Sequence, residues 1–125
     1  MLTRFVKHLV VVAWLMTMFS SQATSNAPRL TVHGRLTFYN GTPSWRIWIV
    51  GTKRLLGVRQ SGNEVPDVPK ELLSLLSPRK DVFADFTVEP LTPEKPGVMR
   101  LVRVISASKI VVAEDNKIVL KRANL

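Results

Sequence analysis

The sequence predicts a small, mainly β domain, and three observations lead to this fold class. Residues 29–39 and 82–89 alternate apolar and polar side chains with the period of two that a half-buried strand requires. Turn residues such as Asn40 and Gly41 separate segments that are rich in β-branched and aromatic residues. One short segment, residues 69–76, has its leucines at helical spacing. Strands therefore dominate the predicted fold.

A cleavable signal peptide is predicted to precede the domain, over residues 1–27. Basic residues come first, an apolar run follows over residues 9–19, and residues 20–27 are small and polar. The apolar run is shorter than the roughly 20 residues that a membrane-spanning helix needs. We expect cleavage after Ala23 or Ala27, and no cysteine follows the run that could carry a lipid anchor.

Residues 28–125 are expected to form one domain, which is basic and contains no cysteine. Two of the 18 lysines and arginines and none of the nine acidic residues lie in the predicted leader, so 16 basic residues face nine acidic ones and the charge is +7. A field of this size favours anionic partners. Small exported domains commonly rely on disulfides. Because this one has no cysteine, it must be stabilised by packing alone. Such a chain is typical of a bacterial protein located in the periplasm or secreted.

The first half of the domain predicts three strands. In residues 29–39 the apolar side chains lie on one face, and Gly34 on that face predicts a bulge or a tight bend. Residues 45–50 carry aromatic and β-branched residues on both faces, so alternation leaves the inward face of the second strand open. A turn at residues 51–53 leads into the third strand, residues 54–59.

A short helix and two more strands complete the prediction. The helix begins with Pro69 in its first position and continues for two turns, before Ser77 and Pro78 end it. Its apolar side consists of Leu72, Leu73, Leu75 and Leu76. The inward residues of the fourth strand, residues 82–89, are Val82, Ala84, Phe86 and Val88. After a proline-rich loop, residues 98–113 form one bent strand or two short ones, and residues 118–120 form a final extended piece.

This order of three strands, a helix and two strands resembles the OB-fold, a small five-stranded Greek-key barrel. Residues 33–36, 51–57 and 85–91 are also similar to small exported bacterial proteins of unknown role. The first resemblance implies an OB-like barrel with its ligand across the second and third strands. The candidate ligand-binding residues on this face are Arg35, Tyr39, Arg46, Trp48, Lys53 and Arg54. The alternative is that the tryptophans belong to the core and the arginines keep the protein soluble.

The pattern of reactive residues predicts neither catalysis nor a cofactor. After the leader, His33 is the one histidine, whereas a hydrolytic triad also needs a nucleophile and an orienting group. The usual zinc-ligand spacings are missing, so no metal site is expected. Asp85 and Glu89 would lie about 13 Å apart on one strand, too far for a direct carboxylate pair.

The sequence therefore favours an exported, non-catalytic binding or accessory domain. Its expected partners are an anionic envelope glycan, a lipid headgroup or a protein. A periplasmic location disfavours nucleic acid as the natural ligand. The alternative function is a structural adaptor in an envelope or secretion complex that adds a strand through an exposed sheet edge.

Overall fold

The computed structural model describes residues 28–125, so the predicted signal peptide lies outside the described residues. In chain order the elements are β1 (Leu30–Phe38), β2 (Trp45–Ile49), β3 (Leu55–Val58), α1 (Lys70–Leu73), β4 (Lys80–Pro90), β5 (Arg100–Glu114) and β6 (Lys117–Asn124). The prediction of a mainly β domain is confirmed. In the described range no helix has the length and hydrophobicity needed to cross a membrane.

Five of the six strands form a closed ring. Antiparallel pairs join β3 to β2, β2 to β1, β1 to β4 and β4 to β5, and β3 then pairs in parallel with β5. The parallel pairing places Leu56, Gly57 and Val58 opposite residues 100–102. The sixth strand, β6, lies outside the ring and pairs with β5. This sixth strand contains the final extended piece predicted over residues 118–120.

The core fills the inside of this ring. The four residues predicted to face inward from β4 are all fully buried, and Phe86 is among the largest of the buried side chains. On β2, Trp45 and Ile47 point inward, which resolves the face that alternation left open. The core residues are Leu36, Trp45, Ile47, Leu56, Val58, Leu72, Val82, Ala84, Phe86, Val88, Val102, Val104, Ala107, Ile110 and Val112.

Of the two alternatives predicted for Gly34, a bulge or a tight bend, the bulge is absent from β1. The pairing of β1 with β4 runs through this position without a shift, and the pairing of β1 with β2 begins at it. The irregularity nearest to it lies between β4 and β5 at Phe83 and Asp85. A Cβ atom on residue 34 would lie 2.4 Å from Cγ2 of Ile47. Glycine is therefore needed here because the side chain of Ile47 occupies the space.

The helix is shorter than predicted, and the last strands are longer. Pro69 precedes α1 instead of opening it, with a ψ of 150° that is not helical. Leu72 is buried, whereas Leu75 and Leu76 reach the core from the turn that follows α1. Most of the segment 98–113 belongs to one strand, β5 (Arg100–Glu114), because its small residues 106–108 pair with β4. Asp115 and Asn116, both with positive φ, then form the two-residue turn into β6.

Candidate functional site

The outer face of β1 and β2 carries two pairs of an arginine and an aromatic ring. Because Trp45 and Ile47 take the inward positions of β2, Arg46 and Trp48 point outward. Arg35 lies opposite Trp48 across the strand pair, and its Cζ atom is 5.2 Å from the centroid of the indole ring. The Cζ atom of Arg46 is 5.1 Å from the centroid of the Tyr39 ring. Both distances are those of cation–π contacts.

The turn between β2 and β3 is held by side-chain hydrogen bonds. The indole N–H of Trp48 donates to the carbonyl oxygen of Thr52 over 2.7 Å. The hydroxyl of Thr52 donates to the carbonyl of Ile49 and accepts from the backbone N–H of Arg54. These bonds stabilise the turn and leave the side chain of Lys53 exposed at its tip.

An open groove of about 660 Å³ lies between this turn and the loop of residues 91–99 that connects β4 to β5. We call it the basic groove. It is lined by Arg46, Lys53, Arg54, Leu55, Glu94, Lys95, Pro96, Gly97, Val98, Met99 and Arg100. Five of these side chains are basic, one is acidic, and Leu55, Val98 and Met99 supply apolar surface. The groove therefore combines a positive charge with an apolar lining.

Most of the positive charge in the basic groove is not neutralised. Arg54 forms an ion pair with Glu94, which joins the turn to the loop across the groove. Arg46 donates from Nε to the carbonyl of Pro43, and Arg100 donates from Nε to the carbonyl of Thr92, each over 2.9 Å. Within residues 28–125 neither of these two arginines has a carboxylate within salt-bridge distance. Neutral carbonyls orient the guanidinium groups and leave their charge available to a ligand.

Comparisons with known proteins do not assign this groove. No family model, curated protein or solved structure matches this chain. What the groove can do chemically therefore follows from its own geometry and charge.

The six candidate residues predicted from the sequence lie on one side of the ring but in two places. The side chains of Arg46, Lys53 and Arg54 line the basic groove. Arg35 and Trp48 lie beside it on the outer face, where Trp48 is paired with the groove residue Leu55 of β3. Tyr39 does not line the groove and instead contacts the guanidinium of Arg46.

Two basic residues of the groove, Lys95 and Arg100, were missed by sequence reasoning. They lie about fifty residues from Arg46 in the chain and come to the groove because β5 closes the ring against β3. The one local signal was that Lys95 precedes the Pro-Gly pair at residues 96–97 and that Arg100 follows it by three positions. That signal does not say which part of the sheet the turn approaches.

A second polar cluster lies on the outer face where β1 meets β4. Nδ1 of His33 is 2.8 Å from Oδ1 of Asp85, and Nζ of Lys109 is 3.9 Å from Oδ2 of the same carboxylate. His33 remains 61% exposed. In the part of the chain that the structure describes, neither His33 nor Asp85 is hydrogen-bonded to a hydroxyl group. Within that part, no three His, Asp or Glu side chains are grouped so that they could hold a metal ion.

Proposed function

We propose that this protein is a non-catalytic binding domain that recognises anionic groups in the basic groove. The observation that carries the proposal is the composition of the groove, where five basic side chains and one carboxylate surround an apolar lining. Clefts lined by charge of one sign raise the local concentration of oppositely charged ligands and speed their association. The net charge of the groove thus favours phosphate, sulfate or carboxylate groups.

Arg46 and Arg100 are the residues that would fix the position of the anion. Each is held by a hydrogen bond from Nε to a backbone carbonyl, and each keeps its terminal N–H groups for a ligand. A planar guanidinium can bind two oxygens of one phosphate or carboxylate at once. Because the two side chains are already oriented, they lose less conformational entropy on binding than freely rotating lysines.

An OB-like barrel and an exported location are part of the same proposal. The closed ring of five strands and the position of α1 between β3 and β4 support the OB-like interpretation. OB-folds bind ligands on the face of strands 2 and 3 and in the loop between strands 4 and 5. The basic groove is lined by the same elements. With the signal peptide proposed for residues 1–27, the expected ligand is an anionic envelope glycan or a lipid headgroup.

The test compares two double variants that remove the same formal charge. Arg46→Gln with Arg100→Gln removes the oriented pair, and the control, Lys117→Gln with Lys121→Gln, removes two exposed charges from β6. Binding of heparin, a sulfated polysaccharide, is measured by calorimetry at low and at raised salt. We expect the groove variant to bind about tenfold or more weakly and with a smaller salt slope, and the control to change by about threefold or less.

Two results would overturn the proposal. If both double variants weaken binding equally, the polyanion responds to the overall charge of the domain and the groove is not a site. If the wild-type protein binds neither heparin nor anionic lipid even at low salt, the binding function itself is wrong. Circular dichroism of each variant confirms that the fold is intact.

The free edge of β6 favours a second candidate function, that of a structural adaptor. Within residues 28–125 this strand pairs with β5 alone, and its other edge has no strand partner. An extended segment of another protein could add to that edge through backbone hydrogen bonds. A protein partner that stays bound in about 1 M salt, where the Debye length is about 3 Å, would support this function. Release of every partner at that salt concentration would contradict it.

A further inference from the structure

The loop that borders the basic groove ends in a tight turn with an exposed apolar side chain. The backbone N–H of Val98 donates to the carbonyl of Lys95 over 3.2 Å, and Gly97 between them has a φ of +75°. Proline in the second position of a turn and glycine with positive φ in the third are the features of a type II turn. Such a turn is stiff, because proline has a fixed φ. It holds Val98 outward, with 62% of its surface exposed, the largest fraction among the large apolar residues of the described range.

Basic side chains surround this apolar tip. Lys95 is part of the turn itself, Lys53 and Arg54 lie across the groove, and Arg100 follows the loop at the start of β5. A fully hydrated polyanion would use these charges but would leave Val98 in water. The combination of a protruding apolar residue with cations around it matches the surface of an anionic bilayer, where charged headgroups border the acyl region.

We propose that the basic groove docks on an anionic lipid bilayer, with the Lys95–Val98 turn entering the interface. This inference rests on the proposed function, since it names the source of the anion that the groove binds. Val98 contacts the boundary between headgroups and acyl chains, and Lys53 and Lys95 bind lipid phosphates around it. Arg46 and Arg100, oriented by backbone carbonyls, bind a phosphate inside the groove.

The electrostatic part of this docking has a predictable size. A Lys or Arg close to an anionic membrane surface increases partitioning by roughly fivefold. Loss of both Lys53 and Lys95 should therefore weaken partitioning by about 10- to 30-fold. Loss of the apolar contact of Val98 should weaken it by about three- to tenfold, because a half-inserted valine buries part of its surface.

The experiment is co-sedimentation of the protein with vesicles of two compositions. One set is phosphatidylcholine with about one-third phosphatidylglycerol, and the other is phosphatidylcholine alone. The variants are Val98→Asn and Lys53→Gln with Lys95→Gln, and the control is Lys117→Gln with Lys121→Gln on β6. All proteins are compared after the same processing of residues 1–27, so that this segment does not cause a difference between the variants and the wild type. The same proteins are titrated in parallel with heparin.

We expect binding to the anionic vesicles to fall in both groove variants and to stay within about threefold in the control. We also expect Val98→Asn to bind heparin as the wild type does. If Val98→Asn binds anionic vesicles as tightly as the wild type, the membrane inference is wrong. If the wild type binds heparin in a groove-dependent way but does not bind vesicles, the inference fails and the proposed function stands. If the wild type binds neither heparin nor vesicles, the proposed function itself is wrong.

Discussion

Replacement of Gly34 by alanine should destabilise the domain even though it adds a single methyl group. The new Cβ atom would lie 2.4 Å from Cγ2 of Ile47 and 3.1 Å from the carbonyl oxygen of Trp48. Ile47 is fully buried in the core, and the carbonyl belongs to the backbone of β2, so neither can move away easily. The methyl group must therefore displace β1 from β2 or force Ile47 out of its rotamer.

The magnitude follows from two opposing effects. An added methyl group in a well-packed core costs about 1–3 kcal/mol. Replacing glycine within a strand recovers about 0.5–1 kcal/mol, because the unfolded chain becomes less flexible. The free energy of unfolding should thus fall by about 1–2 kcal/mol. For a domain of this size the melting temperature should fall by about 5–15 °C.

Thermal unfolding followed by circular dichroism measures this change. The matched control is Gly62→Ala, because a Cβ at residue 62 would meet no atom within 4 Å, and its melting temperature should not fall. Ile47→Leu removes the β-branch that carries Cγ2, so the double variant should be about 1 kcal/mol more stable than the two single effects predict. If Gly34→Ala melts at the same temperature as Gly62→Ala, the close approach of β1 and β2 does not explain this glycine.

Three further changes test other parts of the molecule. Glu94→Gln removes the carboxylate that pairs with Arg54. Because this pair is about half exposed, the free energy of unfolding measured in urea should change by no more than about 0.5 kcal/mol. Heparin affinity should rise by about threefold, because the groove loses its one negative charge. Phe86→Ala empties the centre of the core and should cost about 3–5 kcal/mol in the same urea titration, a large fraction of the total stability. Lys121→Val extends the apolar residues 118–120 along the free edge of β6, and light scattering should detect association that increases with protein concentration, at an unchanged melting temperature.

The sequence predicted those strands whose two faces differ in polarity. In β4 the alternation is complete, and all four residues predicted to face inward are buried. In β2 both faces carry large apolar residues, so the inward position of Trp45 could not be predicted from periodicity. The leucines after Pro69 have helical spacing, but the same spacing also suits one short turn of helix followed by a turn that packs on the core.

Residues that meet through distant pairing could not be predicted in the same way. The parallel contact of β3 with β5 joins residues 56–58 to residues 100–102, and no local pattern in either segment indicates its partner. Three of the candidate binding residues were found to line the basic groove because they come from β2 and its turn. Lys95 and Arg100 were missed because their position depends on the closure of the ring.

The parallel pairing that closes the ring means that the edges of the earlier strands stay unpaired, and prone to aggregation, until β5 is present. Two of the three strands that pair with β5 in the described residues, β3 and β4, come before it in the chain. A chain that ends before Arg100, whether incompletely synthesised or cut in the loop of residues 91–99 with loss of its C-terminal part, would present two unpaired strand edges instead of none in the ring. Such edges recruit strands from other chains. Every product that lacks β5 therefore exposes backbone hydrogen-bonding groups of β3 and β4 that pairing with β5 otherwise conceals.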